Sequence, residues 1–169
     1  MKKSIILLAG MFAMMLSINT NAQTASSTAT ASASARIVTP LEITKNVDLA
    51  FGNIAAGPIA GTVTIATDGS RTGMGGVTLI SAGNVNSAAQ FSITGYASAT
   101  FAITLPGTIY LSDGNSLMSV DSFVSSLGAT STLDQNGQAD LNVGATVNVA
   151  AGQYAGLYTG SFDVTIAYN

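Results

Sequence analysis

Cysteine and histidine are both absent from the 169 residues, and glutamate occurs once, as Glu42. Without histidine or cysteine, Ser–His–Asp and Cys–His catalysis are closed, as are zinc sites of the usual ligand types. Charge is scarce too, at 8% of residues against roughly 25% in ordinary soluble domains. Ser, Thr, Asn, Gln, Ala and Gly stand in its place. Such a surface of short neutral polar groups suits strand-rich extracellular proteins, and little charge repulsion opposes self-contact. No basic cluster is present, which argues against binding to nucleic acid or anionic lipid.

The little chemistry that remains points to turns. The aspartates are scattered singly, so a glycosidase pair would need the fold to bring two together. Asp134-Gln135-Asn136-Gly137-Gln138-Ala139-Asp140 and Asp113-Gly114-Asn115 offer oxygen ligands beside a glycine, as calcium loops do. Neither has the full ligand series or a terminal bidentate Glu, and Asp or Asn beside Gly ordinarily makes a turn. Gly73-Met74-Gly75-Gly76 lacks the Lys-Ser/Thr of a phosphate loop and reads as a glycine-rich connection. The expectation is a non-enzyme with no catalytic, cofactor-binding or metal residues and no cofactor. Tyr96, Tyr110, Tyr154 and Tyr158 remain candidates for a sugar-binding face, while Tyr168 alternates with core positions.

The chain opens MKKSIILLAGMFAMMLSINTNAQ. Lys2 and Lys3 precede an apolar run from Ile5 to Leu16, and Thr20-Asn21-Ala22 supplies small side chains for a signal peptidase. The run is too short and interrupted to span a bilayer, so a secretory signal over residues 1–22 is expected. Its removal leaves Arg36, Lys45 and Arg71 against eight acidic residues, a mature charge of −5. No later apolar run has membrane length, so the expected product is exported without membrane insertion, to the bacterial cell surface, the medium or the periplasm. A mature length near 150 residues can bury roughly 68–70% of its unfolded surface, enough for one core without disulfides.

Residues 23–35, almost wholly Ala, Ser and Thr, read as an N-terminal extension. It is either a flexible leader or an extended strand, because Ala29, Ala31, Ala33 and Ala35 alternate with Thr30, Ser32 and Ser34 and run into Ile37. A β-sandwich domain is expected over residues 36–169. Ile37, Leu41, Ile43, Val47, Leu49 and Phe51 fall on one strand face, with Pro40 marking an edge or break. A loop is expected over residues 55–61, then strands around Val63–Ile65, Val77–Leu79, Phe91–Ile93 and Phe101–Leu105. The Asp68-Gly69, Pro106-Gly107 and Asp113-Gly114 turns separate them. Leu117, Val120, Val124 and Leu127 fit helical spacing, but Met118, Val120 and Ser122 alternate among β-formers, which favours a strand.

The strongest pattern comes last. Leu141, Val143, Ala145, Val147 and Val149 alternate with Asn142, Gly144, Thr146 and Asn148. After a connection around Gly152, Phe162, Val164, Ile166 and Tyr168 alternate with Ser161, Asp163, Thr165 and Ala167. Period two means strands with one buried and one wet face, joined by a hairpin or a sheet-to-sheet crossover. About eight to ten short strands with turns between them describe an all-β antiparallel sandwich.

IVTPLEITKNVDLAFGNI, GTVTIATDGSRT, AQFSITG and LNVGATVNVAAGQYAGLYTGSFDVTIAYN together resemble the bacterial domain-of-unknown-function family 4402. That resemblance implies an exported Ig-like β-sandwich and no particular activity. The C-terminus is also similar to chaperone–usher pilin and spore-coat-U-like subunits. Those end in an alternating apolar strand with a penultimate aromatic, here Tyr168, and a glycine fourteen residues from the end, here Gly156. This resemblance implies a pilin-like, fimbrial subunit. Its last strand (Phe162, Val164, Ile166, Tyr168) borders a groove filled by a neighbour's N-terminal donor, here Ala29, Ala31, Ala33, Ala35 and Ile37. The chain departs from that pattern in lacking the usual cysteine pair and in having an Ala-rich donor. The expected function is therefore a structural or adhesive surface subunit whose partner is another copy or a related subunit. The alternative is a monomeric binding module for a glycan or surface partner.

Overall fold

The computed structural model describes residues 26–83 and 85–169; the signal expected over residues 1–22 lies outside them. The chain divides into two compact units, residues 1–36 and residues 37–169. In the first, residues 26–36 are exposed and form no strand.

The second unit is built of ten strands. They are β1 (Glu42–Val47), β2 (Asn53–Ile65), β3 (Arg71–Ile80), β4 (Ala89–Thr94), β5 (Thr100–Thr104), β6 (Ile109–Ser112), β7 (Leu117–Ser125), β8 (Thr130–Thr132), β9 (Gln138–Val149) and β10 (Thr165–Tyr168). All pairings are antiparallel. They form a seven-stranded sheet centred on β9 and a three-stranded sheet in the order β10-β5-β8. Val143 pairs with Ala89 of β4 and Ser125 of β7; Val147 pairs with Val63 of β2 and Val120 of β7. A strand residue has one neighbour at each edge, so β7 runs along one side of β9. Along the other side, β4 and β2 follow one another end to end. The strands β1, β3 and β6 flank β4, β2 and β7 in turn.

The alternation in β9 explains its central place. Leu141, Val143, Ala145 and Val147 are completely buried, and Val149 nearly so, whereas Asn142, Thr146 and Asn148 lie half-buried on the other face. Between them Gly144 approaches the Ile65 carbonyl so closely that a Cβ would collide with it. The connection from β9 to β10 changes sheet, so of the two expected arrangements it is the crossover.

The buried side chains form two clusters. The first (Ala89, Ile93, Phe101, Ile103, Leu133, Leu141, Val143) packs the three-stranded sheet on the β4–β9 half of the large one. The second (Val63, Val120, Ala145, Val147, Val149) lies under the other half. Leu49 and Phe123 pack against both clusters. The partly buried residues around the second come from the β1–β2 connection, β2, β3, β6 and β7, with none from β5, β8 or β10. The small sheet thus covers half of the large sheet's inner face.

Four local readings need correction. Residues 55–61, expected as a loop, belong to β2, and Gly73–Gly76, expected as a connection, belong to β3. The ladder between them is irregular from Ala56 to Gly61. Glycine lets the two backbones meet there, since a Cβ on Gly61 would lie 2.6 Å from the Met74 carbonyl oxygen. Ile37 does not extend the face of β1: it is 98% exposed, and regular pairing begins at Glu42, after Pro40. Leu117–Ser125 is a strand as expected, but its alternation breaks at Ser122, whose φ is 54°. The register slips between Asp121 and Val124, and Phe123 takes the inward position that period two would give to Ser122.

Candidate functional site: an open strand edge and an apolar cleft

The C-terminal strand is shorter than its alternation. Thr165 to Tyr168 pair with Thr104 to Phe101 of β5. Continuing that register would set Asp163 opposite Pro106, which has no N–H to donate, and the ladder stops at Thr165. Phe162 and Val164 remain half-buried and in contact with the first cluster, while Ser161 and Asp163 stay exposed. The row Phe162, Val164, Ile166, Tyr168 therefore faces the core as a strand would, but its first half belongs to no ladder. The edge of β10 away from β5 pairs with no strand among the described residues.

Both ends of the row are fixed by side chains. The Tyr168 hydroxyl accepts a hydrogen bond from the Tyr96 N–H (2.7 Å) and donates one to the Thr39 carbonyl (2.9 Å). Gly95 makes room for it, as a Cβ there would collide with that hydroxyl. At the other end the Phe162 ring meets Phe123 at 5.1 Å between centroids, tilted 47°.

Phe162 also borders a cleft of about 750 Å³ over the half of the large sheet that the small sheet leaves uncovered. Val147 and Val149 form its floor, Ile54, Ile109, Leu111 and Met118 its walls, and the segment from Gln153 to Gly160 its roof. The roof is tied down by two Ser112–Thr159 backbone hydrogen bonds, each 2.9 Å. Gly156, expected to mark the last-strand groove, lies in this roof, where a Cβ would stand 2.8 Å from Asp113 Oδ2. An empty apolar void of this volume would cost on the order of 18 kcal/mol at roughly 24 cal/mol per Å³. That exceeds the roughly 5–15 kcal/mol by which whole domains are stable. The cleft is therefore open to solvent or occupied, and Tyr154 and Leu157 at its roof are 77% and 78% exposed.

The cleft lining contains no Asp, Glu, Lys or Arg. Three of its polar side chains are engaged: Asn53 donates to the Ala82 carbonyl (2.8 Å), Gln153 to the Tyr158 hydroxyl (2.8 Å), and that hydroxyl to the Tyr154 carbonyl (3.0 Å). Of the tyrosines considered for a sugar face, the structure brings Tyr154 and Tyr158 together here. Tyr110 lines an adjoining depression with Leu117, and Tyr96 lies elsewhere, beside Tyr168. The donor candidates Ala29, Ala31, Ala33 and Ala35 are exposed and outside any strand, as is Ile37.

The loop carboxylates are turn-formers. Asp68 accepts from the Ser70 N–H (2.8 Å), Asp113 from Ser116 and Asn115 (2.6 and 2.9 Å), and Asp134 from Gln138 and Asn136 (2.7 and 2.8 Å). Bonds to Ser70, to the Ser116 N–H and to the Gln138 N–H, respectively, are the main causes holding these carboxyls below their ordinary pKa. Among the described residues no three or more His, Cys, Asp or Glu side chains gather as a metal site.

Sequence reasoning missed the cleft altogether. Its lining comes from separate stretches (49–56, 109–120, 147–162), and only the apolar excess just after β1, at Leu49, Phe51 and Ile54, hints at it.

Two packed antiparallel sheets without a helix among the described residues make this an all-β protein of the β-sandwich class. The chain belongs to the family described as Domain of unknown function (DUF4402), whose model matches residues 41–168, from the residue before β1 to the end of β10. No curated protein and no solved structure matches it.

Proposed function

We propose that this chain is an exported, non-catalytic structural or adhesive subunit of the bacterial surface, pilin-like in that copies join by strand addition along Phe162–Tyr168. The observation that carries the reading is the half-paired row itself. Four side chains face the core from a segment whose outer edge bonds to no strand among the described residues, and whose first half has no ladder on either side. A bare edge is a template for another chain. An incoming strand gains main-chain hydrogen bonds along it and specificity from its alternate side chains. Between Ser161 and Tyr168 the edge carries a single charge, Asp163, so little electrostatic repulsion guards it.

The segment available to fill the edge is the leader. Ala29, Ala31, Ala33, Ala35 and Ile37 repeat at strand period, are exposed and are engaged in no ladder. Donation from one copy to the next is head-to-tail and does not close on itself, so it builds a fibre. A second reading, a monomeric module for a glycan or surface partner, draws support from Tyr154 and Tyr158 meeting at the cleft roof.

Size analysis of the mature chain tests the first reading against the second. Concentration-dependent oligomers are expected, which deletion of residues 23–35 abolishes and a synthetic 24–37 peptide caps. A monodisperse monomer at high concentration would overturn strand addition. A deletion that lowers the melting temperature of a lasting monomer would make the leader the domain's own strand.

A further inference from the structure

We propose that the cleft roofed by Gln153–Gly160 is a binding site for a single hydrocarbon chain bearing an uncharged head group, taken up from solution as a monomer. This goes beyond strand addition, since the cleft can be filled whether or not copies join. Its volume, about 750 Å³, falls within the range of small-molecule pockets. The walls at Ile54, Ile109, Leu111 and Met118 are aliphatic, and Asn53, Gln153 and Tyr158 beside them are engaged with one another or with backbone carbonyls. A guest in the interior therefore meets aliphatic side chains interleaved with polar backbone and side-chain groups, and burial of hydrocarbon against the aliphatic walls is the main interaction the site offers.

Charge selects the head group. The lining itself holds no charged side chain; the guanidinium of Arg71, beside it, is bound to the backbone carbonyls of Phe51, Asn53 and Ile80, and the side chain behind the roof at Gly156 is Asp113, an anion. An anionic head at the roof would face Asp113 and find no cation in the lining to pair with. Tyr154 and Leu157, exposed at the roof, present an aromatic body with a polar tip and an aliphatic side chain, the pairing suited to the boundary between an alkyl tail and a neutral polar head. The leader is a poor occupant, because a row of alanine methyl groups leaves most of the space unfilled and Ile37 supplies one side chain of any size.

The chain contains no tryptophan, so Met118→Trp places a sole indole in the cleft wall, and Val124→Trp provides a control away from it. The full mature protein is titrated with a nonionic alkyl glucoside below its micelle threshold, with the alkyl sulfate of equal length, and with neutral phosphatidylcholine vesicles. The expected result is a saturable blue shift of Met118→Trp with the glucoside, at least tenfold weaker with the sulfate, and none with Val124→Trp. Leu157→Asp, an exposed substitution at the roof, should weaken glucoside binding at least tenfold. The unmutated chain provides a second measurement independent of the indole: its melting temperature should rise saturably with the glucoside. An unchanged or falling melting temperature, equal shifts in both tryptophan variants, or a response confined to vesicles would each overturn the proposal. Gel filtration of the liganded protein separates it from strand addition, since binding is expected without a change in size.

Discussion

Phe101 and Phe162 carry the same side chain toward the same cluster, and the fold covers one completely and the other by half. Phe101, in the middle strand of the small sheet, is 0% exposed. Truncation to alanine there should cost about 3–5 kcal/mol, the range for a fully buried phenylalanine. Phe162 sits where the ladder has ended at Pro106, with water on its outer side, so roughly half of that loss, about 1.5–2.5 kcal/mol, is expected in the monomer. Asp163→Ala and Thr165→Ala, on the exposed side of the same segment, should each change stability by less than about 0.5 kcal/mol. Urea melts followed by circular dichroism at low protein concentration measure all four, with the slope m unchanged if only the native state is affected. Under assembling conditions an added strand covers Phe162, and its truncation should then cost more than in the monomer while the Phe101 value stays put. If Phe162→Ala equals Phe101→Ala in the dilute monomer, the row is already covered and the open-edge argument fails.

Tyr168→Phe removes the hydroxyl shared by the Tyr96 N–H and the Thr39 carbonyl; with net contributions of roughly 0.5–1.5 kcal/mol per bond, a loss of about 1–3 kcal/mol is expected in the same melts. The carboxyls of Asp68, Asp113 and Asp134 lie below their ordinary values in the folded protein. Their contribution is therefore fully present above the unfolded carboxylate value of about 3.9 and is lost as pH falls through the lower folded values. Urea midpoints should be level above about pH 5 and decline below about pH 4, with Asp134→Asn flattening part of the decline; a midpoint that rises on acidification contradicts the sign.

The fold class was legible because β9 and the turns are built from residues with strong contrast. Val, Leu and Ala against Asn and Thr mark two faces, and Asp-Gly pairs mark chain reversals wherever they occur. Contrast fails where side chains are absent: the residues at 55–61 and 73–76 have too few large groups to show a period, so these stretches of β2 and β3 read as loop and connection. It also fails where registers slip, as at Ser122, because a single residue at φ 54° moves every later side chain to the other face. Of the candidate site, the alternation of Phe162 to Tyr168 was visible, but not where its pairing stops. That limit is set by Pro106, which stands more than fifty residues earlier in the chain, and it becomes visible only once β5 and β10 are in register.

The cleft and the open edge share one origin, the unequal size of the two sheets. A seven-stranded sheet presents more apolar face than three strands can cover. The uncovered part must be closed by irregular chain or by something from outside the domain. Irregular chain closes some of it, with residues 49–52 coming in from the β1–β2 connection and residues 153–162 crossing above Val147 and Val149. These segments lack the ladder that would draw them tight, which is why the space beneath them persists and why Phe162, at their junction with β10, keeps a wet side. A leader strand laid along Phe162–Tyr168 would add coverage at that junction but, being rich in alanine, would not fill the space over Val149. The edge thus calls for backbone and the cleft for bulk, two needs that one Ala-rich segment does not meet. The two proposals accordingly name different occupants for adjoining surfaces.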